Sequence, residues 1–335
     1  MAVRVAMNGF GRIGRMVYRA LLESGRKDIE LIAINDLGSP ESNAHLLRYD
    51  SVHGPLASTV EAADNLIKVD GNTVSVLAER DPSKLPWAEL GIDIVAECTG
   101  IFSDRNKAEL HLSAGAKRVL VSAPSKGADL TVVYGVNHDK ITNECTIVSN
   151  ASCTTNCLAP VVHVLDGAYG LKHGYMTTVH AFTGDQSTVD TLHSDARRSR
   201  AASVSMIPTS TGAARAVGEV LPNLKGRLDG SAIRVPTPNV SMIDLKCVLA
   251  TAVSEEEVNA KMLEASKGYL GGVLAVNKLP LVSVDFNHNP ASSIFDSTQT
   301  KVLEGDFLRV LAWYDNEWGF SNRMLDTLVA MGHHL

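Results

Sequence analysis

Val3-Arg4-Val5-Ala6-Met7-Asn8-Gly9-Phe10-Gly11-Arg12-Ile13-Gly14 lies at the start of the chain, and its reading decides the fold. Val3 to Met7 has the composition of a buried strand. It runs into Gly-x-Gly-x-x-Gly at Gly9, Gly11 and Gly14, and then into a helical spacing of apolar residues at Met16, Val17, Ala20 and Leu21. A lone glycine triplet says little. Strand, glycine loop and helix in that order bring main-chain N–H groups up to a pyrophosphate at a helix N-terminus. A second strand over residues 30–35 ends at Asp36, about 20 residues beyond the last glycine, where an acid hydrogen-bonds the ribose 2′-hydroxyl of NAD and repels the 2′-phosphate of NADP.

Residues 92–97 and 118–122 read as further apolar strands, with a helical stretch over 106–114 between them. Strand alternating with helix makes an α/β fold with a parallel sheet. Ligands sit outside the carboxyl ends of such strands, so Thr99-Gly100 and Ser122-Ala123 border the expected cofactor site. Arg80, in the charged run Glu79-Arg80-Asp81-Pro82, reads from its surroundings alone as part of a solvated turn.

With 335 residues and 45% hydrophobic content, the chain has material for two domains with a core each. A net charge of −6 and the lack of a basic run leave no electrostatic footprint for nucleic acid. No apolar run approaches the ~18 residues of a membrane span, and the first strand starts too early to leave room for a signal peptide; the expected location is cytoplasmic. Cys98, Cys145, Cys153, Cys157 and Cys247 form an odd, unpatterned set, which suits reduced thiols. Cys153 and Cys157 have no matching His or Cys pair, so no metal site is expected.

The chemistry is expected at Ser149-Asn150-Ala151-Ser152-Cys153-Thr154-Thr155-Asn156. Residues 145–148 read as a strand and 157–165 as a helix, so this hydroxyl-rich stretch falls where a helix leaves its first N–H groups unpaired. A cysteine there meets the positive end of the helix dipole, which favours thiolate over thiol. Most free cysteines are inert core residues. The polar flank and the strand-to-helix junction single out Cys153 as a nucleophile. Its base is expected at His180, which ends a strand at 175–180 and precedes the polar loop Thr183-Gly184-Asp185-Gln186. His163 falls within the helix, and His333 and His334 lie at the chain end.

Thr209-Ser210-Thr211-Gly212 leads into a second helix with a hydroxyl-rich start, and Arg198 or Arg234 can supply charge nearby. Either junction alone is more simply a capped helix; together they suit two phosphates. Ser254 followed by Glu255-Glu256-Glu257 is a capping box. The chain closes with a strand at 308–314 and an amphipathic helix bearing Met324, Leu325 and Leu328.

Five segments carry a resemblance: Asn8-Gly-Phe-Gly-Arg-Ile-Gly-Arg15, Ala151-Ser-Cys-Thr-Thr-Asn156, Pro208-Thr-Ser-Thr-Gly-Ala-Ala214, Arg234-Val-Pro-Thr-Pro-Asn-Val240 and Trp313-Tyr-Asp-Asn-Glu317. Through them the sequence resembles the phosphorylating glyceraldehyde-3-phosphate dehydrogenases from end to end. The resemblance implies a Rossmann NAD-binding domain over residues 1–150, completed by a C-terminal helix at 316–335. It implies an α+β catalytic domain with a mixed or antiparallel sheet over 151–315, and a homotetramer. It makes Cys153 the nucleophile and His180 its activating base. Gly11, Arg12 and Ile13 would lie on the pyrophosphate, Asp36 on the adenosine ribose, and Arg80, Ser122 and Asn316 elsewhere around NAD. Ser152, Thr154, Thr183, Arg198, Thr211, Gly212 and Arg234 would hold the phosphates of glyceraldehyde 3-phosphate and inorganic phosphate. Erythrose-4-phosphate dehydrogenases share the Cys, the His and the ending seen here at Asn316-Glu317-Trp318-Gly319-Phe320, but Thr183 and Thr211-Gly212 match the triose enzymes. A non-catalytic NAD-responsive protein on the same fold is the other alternative. The presence of both Cys153 and His180 argues against it.

Overall fold

A strand of buried β-branched residues must cover both its faces, and the amphipathic stretches between such strands supply the cover. The computed structural model, which describes residues 2–335, does this in two compact units. One gathers the chain up to Val132 with His138–Ala151 and Ser321–Leu335; the other consists of Val133–Asn137 and Ser152–Phe320. Among the described residues no helix is long and apolar enough to cross a membrane.

The first unit holds a nine-stranded sheet. Its centre is parallel: Ile29–Asn35, Val3–Asn8, Ile94–Glu97, Arg118–Val121 and Ile147–Ser149 lie side by side in that order. The fully parallel expectation fails at one edge. Asn72–Leu77 runs parallel to Ile29–Asn35, but Val60–Ala63 and Leu66–Val69 continue beyond it as an antiparallel meander. Each connection in that meander is two residues long, too short for a crossover, and positive φ at Asp64 (52°), Asp70 (48°) and Gly71 (84°) makes the tight turns.

The helix Arg12–Ser24 starts at Gly11 without a side-chain cap and stops at Gly25, whose φ of 63° is left-handed. Two glycines set the approach of this helix to the sheet. Gly9 has a φ of 89°, and a Cβ there would stand 2.7 Å from the Thr99 nitrogen; a Cβ on Gly14 would stand 2.3 Å from the Gly9 carbonyl oxygen.

The second unit holds an eight-stranded mixed sheet. Leu171–Ala181 is flanked by Leu228–Val235, parallel, and Ser241–Leu249, antiparallel, with Phe307–Tyr314 antiparallel to the latter. The register of the parallel pair sets His180 opposite Arg234. The helix Cys153–Tyr169 buries Leu158, Val161, Val162 and Leu165. The helix Glu255–Lys267 opens with the expected capping box at Ser254 and Glu257.

Gly14→Ala is expected to lower the free energy of unfolding by about 1–3 kcal/mol, the usual cost of overpacking. At Gly11 an added methyl meets nothing within 4 Å, so Gly11→Ala should change it by less than about 0.5 kcal/mol. Chemical denaturation of the two variants compares them; equal losses would show that close helix packing does not require glycine at position 14.

Candidate active site

Ser152 is the N-cap of the helix Cys153–Tyr169, and its Oγ accepts the Thr155 N–H at 3.1 Å. Cys153 is thereby the first helical residue. From the strand Leu171–Ala181, His180 places Nε2 at 3.5 Å from Cys153 Sγ. Its Nδ1 lies 2.6 Å from the Ala181 carbonyl, which can only accept, so the ring proton sits on Nδ1 and Nε2 is left as an acceptor. Burial, with the Arg234 charge beside it, pushes the imidazole down to about 3.

The thiol is pushed up by burial, against the opposing pull of Arg234 and of the Thr154 N–H. The help expected from the helix terminus is present in those contacts, but burial outweighs it. Sequence shows that a cysteine heads a helix; it does not show how deeply the sulfur is set. Burial thus disfavours the charged form of each group alone, while moving the proton from Sγ to Nε2 creates two opposite charges that stabilise each other.

Tyr314, which in the sequence ends the closing strand and falls in the segment 313–317, reaches the pair. Its hydroxyl lies 2.9 Å from both Thr154 Oγ1 and Thr178 Oγ1, Thr178 donates to the Met242 carbonyl at 3.0 Å, and its ring meets His180 edge-on at 5.8 Å. One proton per hydroxyl satisfies this run only as Thr154 to Tyr314 to Thr178 to Met242. Asn316 is also tied in: Ser241 Oγ accepts the Ala181 N–H at 3.0 Å and donates to Asn316 Oδ1 at 2.8 Å.

The anion-binding candidates lie around this pair. Arg234 Nη1 donates to the Ala181 carbonyl at 3.2 Å and to Thr183 Oγ1 at 2.8 Å, while its Nε is buried without a partner. Arg198 donates from Nη1 to Asp185 at 2.7 Å and from Nε to Thr209 Oγ1 at 3.1 Å, and the Thr183 hydroxyl also donates to Asp185. Burial works against the Asp185 carboxylate, but Thr183 and the two arginines hold it below the usual range. Asp185, quoted in the sequence only as part of a polar loop, is the group that orients them. Thr211 Oγ1 accepts the Ala213 N–H at 3.2 Å, and Gly212 heads the helix Ala213–Val220 with open space at its Cα. Thr155 Oγ1 donates to the Ala213 carbonyl at 3.3 Å, which joins the two helix starts. With its hydroxyl engaged by Tyr314, Thr154 offers an anion its main-chain N–H.

In the first unit a cavity of about 500 Å³ opens at the carboxyl ends of the strands, lined by Gly9, Gly11, Asp36, Arg80, Cys98 and Thr99 among others. Asp36 accepts the Phe10 N–H on Oδ2 and the Gly38 N–H on Oδ1, both at 2.8 Å, and each oxygen retains a lone pair for a ribose hydroxyl. Arg80, bland in sequence, lines the cavity. The Arg12 guanidinium is turned onto Asp50 in a two-pronged pair. Burial works against that carboxyl, but Arg12 and the N–H groups of His53 and Val52 bring it down to about 2. The Arg12 side chain is thus engaged within the protein, and a role for Arg12 and Ile13 at a pyrophosphate would fall to the main chain at this helix start. Ser122 does not line this cavity, whereas Cys98 does. An uncapped helix start, open space at Gly11 and an acid at the next strand end fit a dinucleotide.

The NAD binding domain of glyceraldehyde 3-phosphate dehydrogenase matches residues 3–105, and the C-terminal domain of the same enzyme matches residues 152–316. The chain is 64% identical to the glyceraldehyde-3-phosphate dehydrogenase of Xanthobacter flavus over 99% of each chain, and 61% identical to that of Cereibacter sphaeroides over the whole of both. It is 53% identical to glyceraldehyde-3-phosphate dehydrogenase 1 of Bacillus subtilis over 97% of each. The first domain match makes NAD the cofactor, in agreement with the cleft. Matched over nearly its whole length, the chain belongs to the glyceraldehyde-3-phosphate dehydrogenase family.

Proposed function

We propose that the chain oxidises glyceraldehyde 3-phosphate, with NAD and inorganic phosphate, to 1,3-bisphosphoglycerate, acting in the cytoplasm as a homotetramer. The first unit would bind NAD and the second carry the reacting groups. The observation that carries this reading is the 3.5 Å approach of Cys153 Sγ to an unprotonated His180 Nε2 at a helix start, beside a buried arginine with a free Nε. Exposed Val189, Leu192, Val204 and Met206, on one segment of the second unit, support further copies covering it.

Cys153 Sγ yields its proton to His180 Nε2 and adds to the aldehyde carbon, with the helix-start N–H groups facing the oxygen that gains charge. Bound NAD supplies the two-electron acceptor for the hydride of that carbon. His180 returns its proton to that oxygen and takes it back from the hydroxyl as the hydride leaves, and the acyl group remains on Cys153 as a thioester. Ser152, Thr211, Gly212, Arg198 and Arg234 hold the phosphate groups, the second of which attacks the thioester carbon; the sulfur leaves and an acyl phosphate forms. A serine at 153 would form an ordinary ester, a poorer acyl donor. Gly11, Arg12, Ile13 and Asp36, with Arg80, Ser122 and Asn316, serve NAD, and Thr154 and Thr183 complete the anion contacts.

NADH appearance on mixing enzyme, NAD and glyceraldehyde 3-phosphate tests the reading directly. Sustained turnover is expected only with inorganic phosphate present; faster, phosphate-independent turnover of erythrose 4-phosphate would replace it. Cys153→Ser should abolish turnover while NAD binding, followed by calorimetry, stays within about twofold; near-normal turnover would remove Cys153 from the mechanism. Arg234→Leu, which deletes a charged donor, should lower kcat/KM for the aldehyde about 30-fold, from ~2 kcal/mol.

Acid stability checks the burial of His180. Between its usual 6.5 and about 3 the unfolded chain binds a proton there that the native chain refuses, so stability falls as pH falls through that window, by up to about 1.4 kcal/mol per unit. His180→Asn should therefore lose less stability than the parent between pH 7 and 5 in urea unfolding. Parallel losses would place a charged or exposed imidazole at 180.

A further inference from the structure

Glu97 ends the strand Ile94–Glu97, fully buried, and takes no part in the chemistry above. Four donors converge on it. Oε2 accepts Asn8 Nδ2 at 2.6 Å and His111 Nε2 at 3.0 Å; Oε1 accepts the Thr99 N–H at 2.7 Å and the Thr99 hydroxyl. Trp87 fixes the direction of the run. Its indole N–H can only donate, and it reaches His111 Nδ1 at 3.0 Å, so the histidine proton sits on Nε2 and points at Glu97. Beyond Asn8 the bonds continue: Asn35 Nδ2 donates to Asn8 Oδ1 at 2.7 Å and to the Glu79 carbonyl at 2.8 Å, and the Glu79 N–H returns to Asn35 Oδ1 at 2.8 Å. Asn8, Asn35, Glu79 and Thr99 all line the 500 Å³ cavity of the first unit.

We propose that Glu97, seated by His111, is the positioning residue of the NAD cleft: the acceptor whose hydrogen bonds fix three strand ends and the Glu79-Arg80 turn before the dinucleotide arrives. The inference rests on reading this cavity as the NAD site. A neutral isostere cannot take the place of Glu97. A glutamine amide would set N–H against the N–H groups of Asn8 and His111 or, turned over, against the Thr99 N–H on the same cavity wall. Reversing Asn8 would set its Nδ2 against that of Asn35, reversing Asn35 would confront the Glu79 N–H, and His111 Nδ1 is already taken by Trp87. The mismatch therefore travels along the cavity wall, where a fully connected network had held it in one arrangement.

Calorimetric titration of substrate-free enzyme with NAD, beside steady-state kinetics, tests the proposal on Glu97→Gln, His111→Phe and, as a reference, Asp36→Ala. Glu97→Gln should weaken NAD about tenfold and raise its KM to match, with kcat at saturating NAD within about twofold. His111→Phe removes one donor of four in an aromatic setting between Trp87 and Phe102 and should weaken NAD about threefold. Should Glu97→Gln fail to fold, His111→Phe decides. NAD affinity unchanged in the folded variants while Asp36→Ala loses it would overturn the positioning role, however far thermal stability falls. Unchanged affinity in all three would show instead that NAD does not occupy this cavity, and the cleft reading would fail together with the proposal.

Discussion

The active site depends on one proton. His180 Nδ1 gives it to the Ala181 carbonyl at 2.6 Å, and everything the Cys153 thiol can do follows from the bare Nε2 on the other side of the ring. With the opposite tautomer an N–H would face an S–H, and neither could move a proton to the other. The accepting carbonyl is itself fixed. Residue 181 is anchored from behind, its N–H held by Ser241 Oγ and Ser241 in turn by Asn316, while Arg234 Nη1 shares its oxygen. Side chains from two neighbouring strands and the turn beyond Tyr314 thus decide which nitrogen of one ring is basic, a supporting layer of the kind that orients reactive groups elsewhere.

Burial around this pair opposes the reaction it serves. It pushes the thiol up and the imidazole down, so neither group ionises alone. Arg234 acts on both in one direction, favouring thiolate and disfavouring imidazolium. An anion seated on Arg234 would offset that charge and return basicity to His180. A substrate phosphate held there, as proposed, would contribute more than orientation: the charge that would hold it is the charge that disfavours the imidazolium in its absence.

What was legible in the sequence is what chemistry fixes locally. The glycine loop could be read because Gly9 and Gly14 meet main chain at distances no side chain tolerates, and a helix start exposes its N–H groups whatever surrounds it. Cys153 and His180 could be paired because each ends an element beside polar residues. Depth could not be read, since it depends on what packs above and below. The dipole argument names the assistance Cys153 receives at its helix start, and the burial that opposes it lies outside what a helix start can show. Partners chosen across long stretches of chain were also invisible: Asp50 claiming the Arg12 side chain and Tyr314 claiming the Thr154 hydroxyl. Glu97 and His111 looked like ordinary strand and helix residues, because only the fold brings Asn8, Trp87 and Thr99 to them.

The two units handle buried polar groups in opposite ways. Around Glu97 each of the four converging donors finds its acceptor inside the chain, so the cavity wall has a settled arrangement with nothing bound. Around Arg234 the chain leaves a donor over: Thr183 and Ala181 take Nη1, Asp185 engages Arg198 and Thr183, and Nε is buried without a partner. A buried donor without a partner costs on the order of 1–3 kcal/mol, which a phosphate oxygen reaching it, as proposed, would return. A cleft that must present the same surface at every turnover gains from having its wall fixed in advance. A site that must hold one phosphate and release another gains from a donor that no part of the protein competes for, because its affinity comes from relieving a cost the fold already carries.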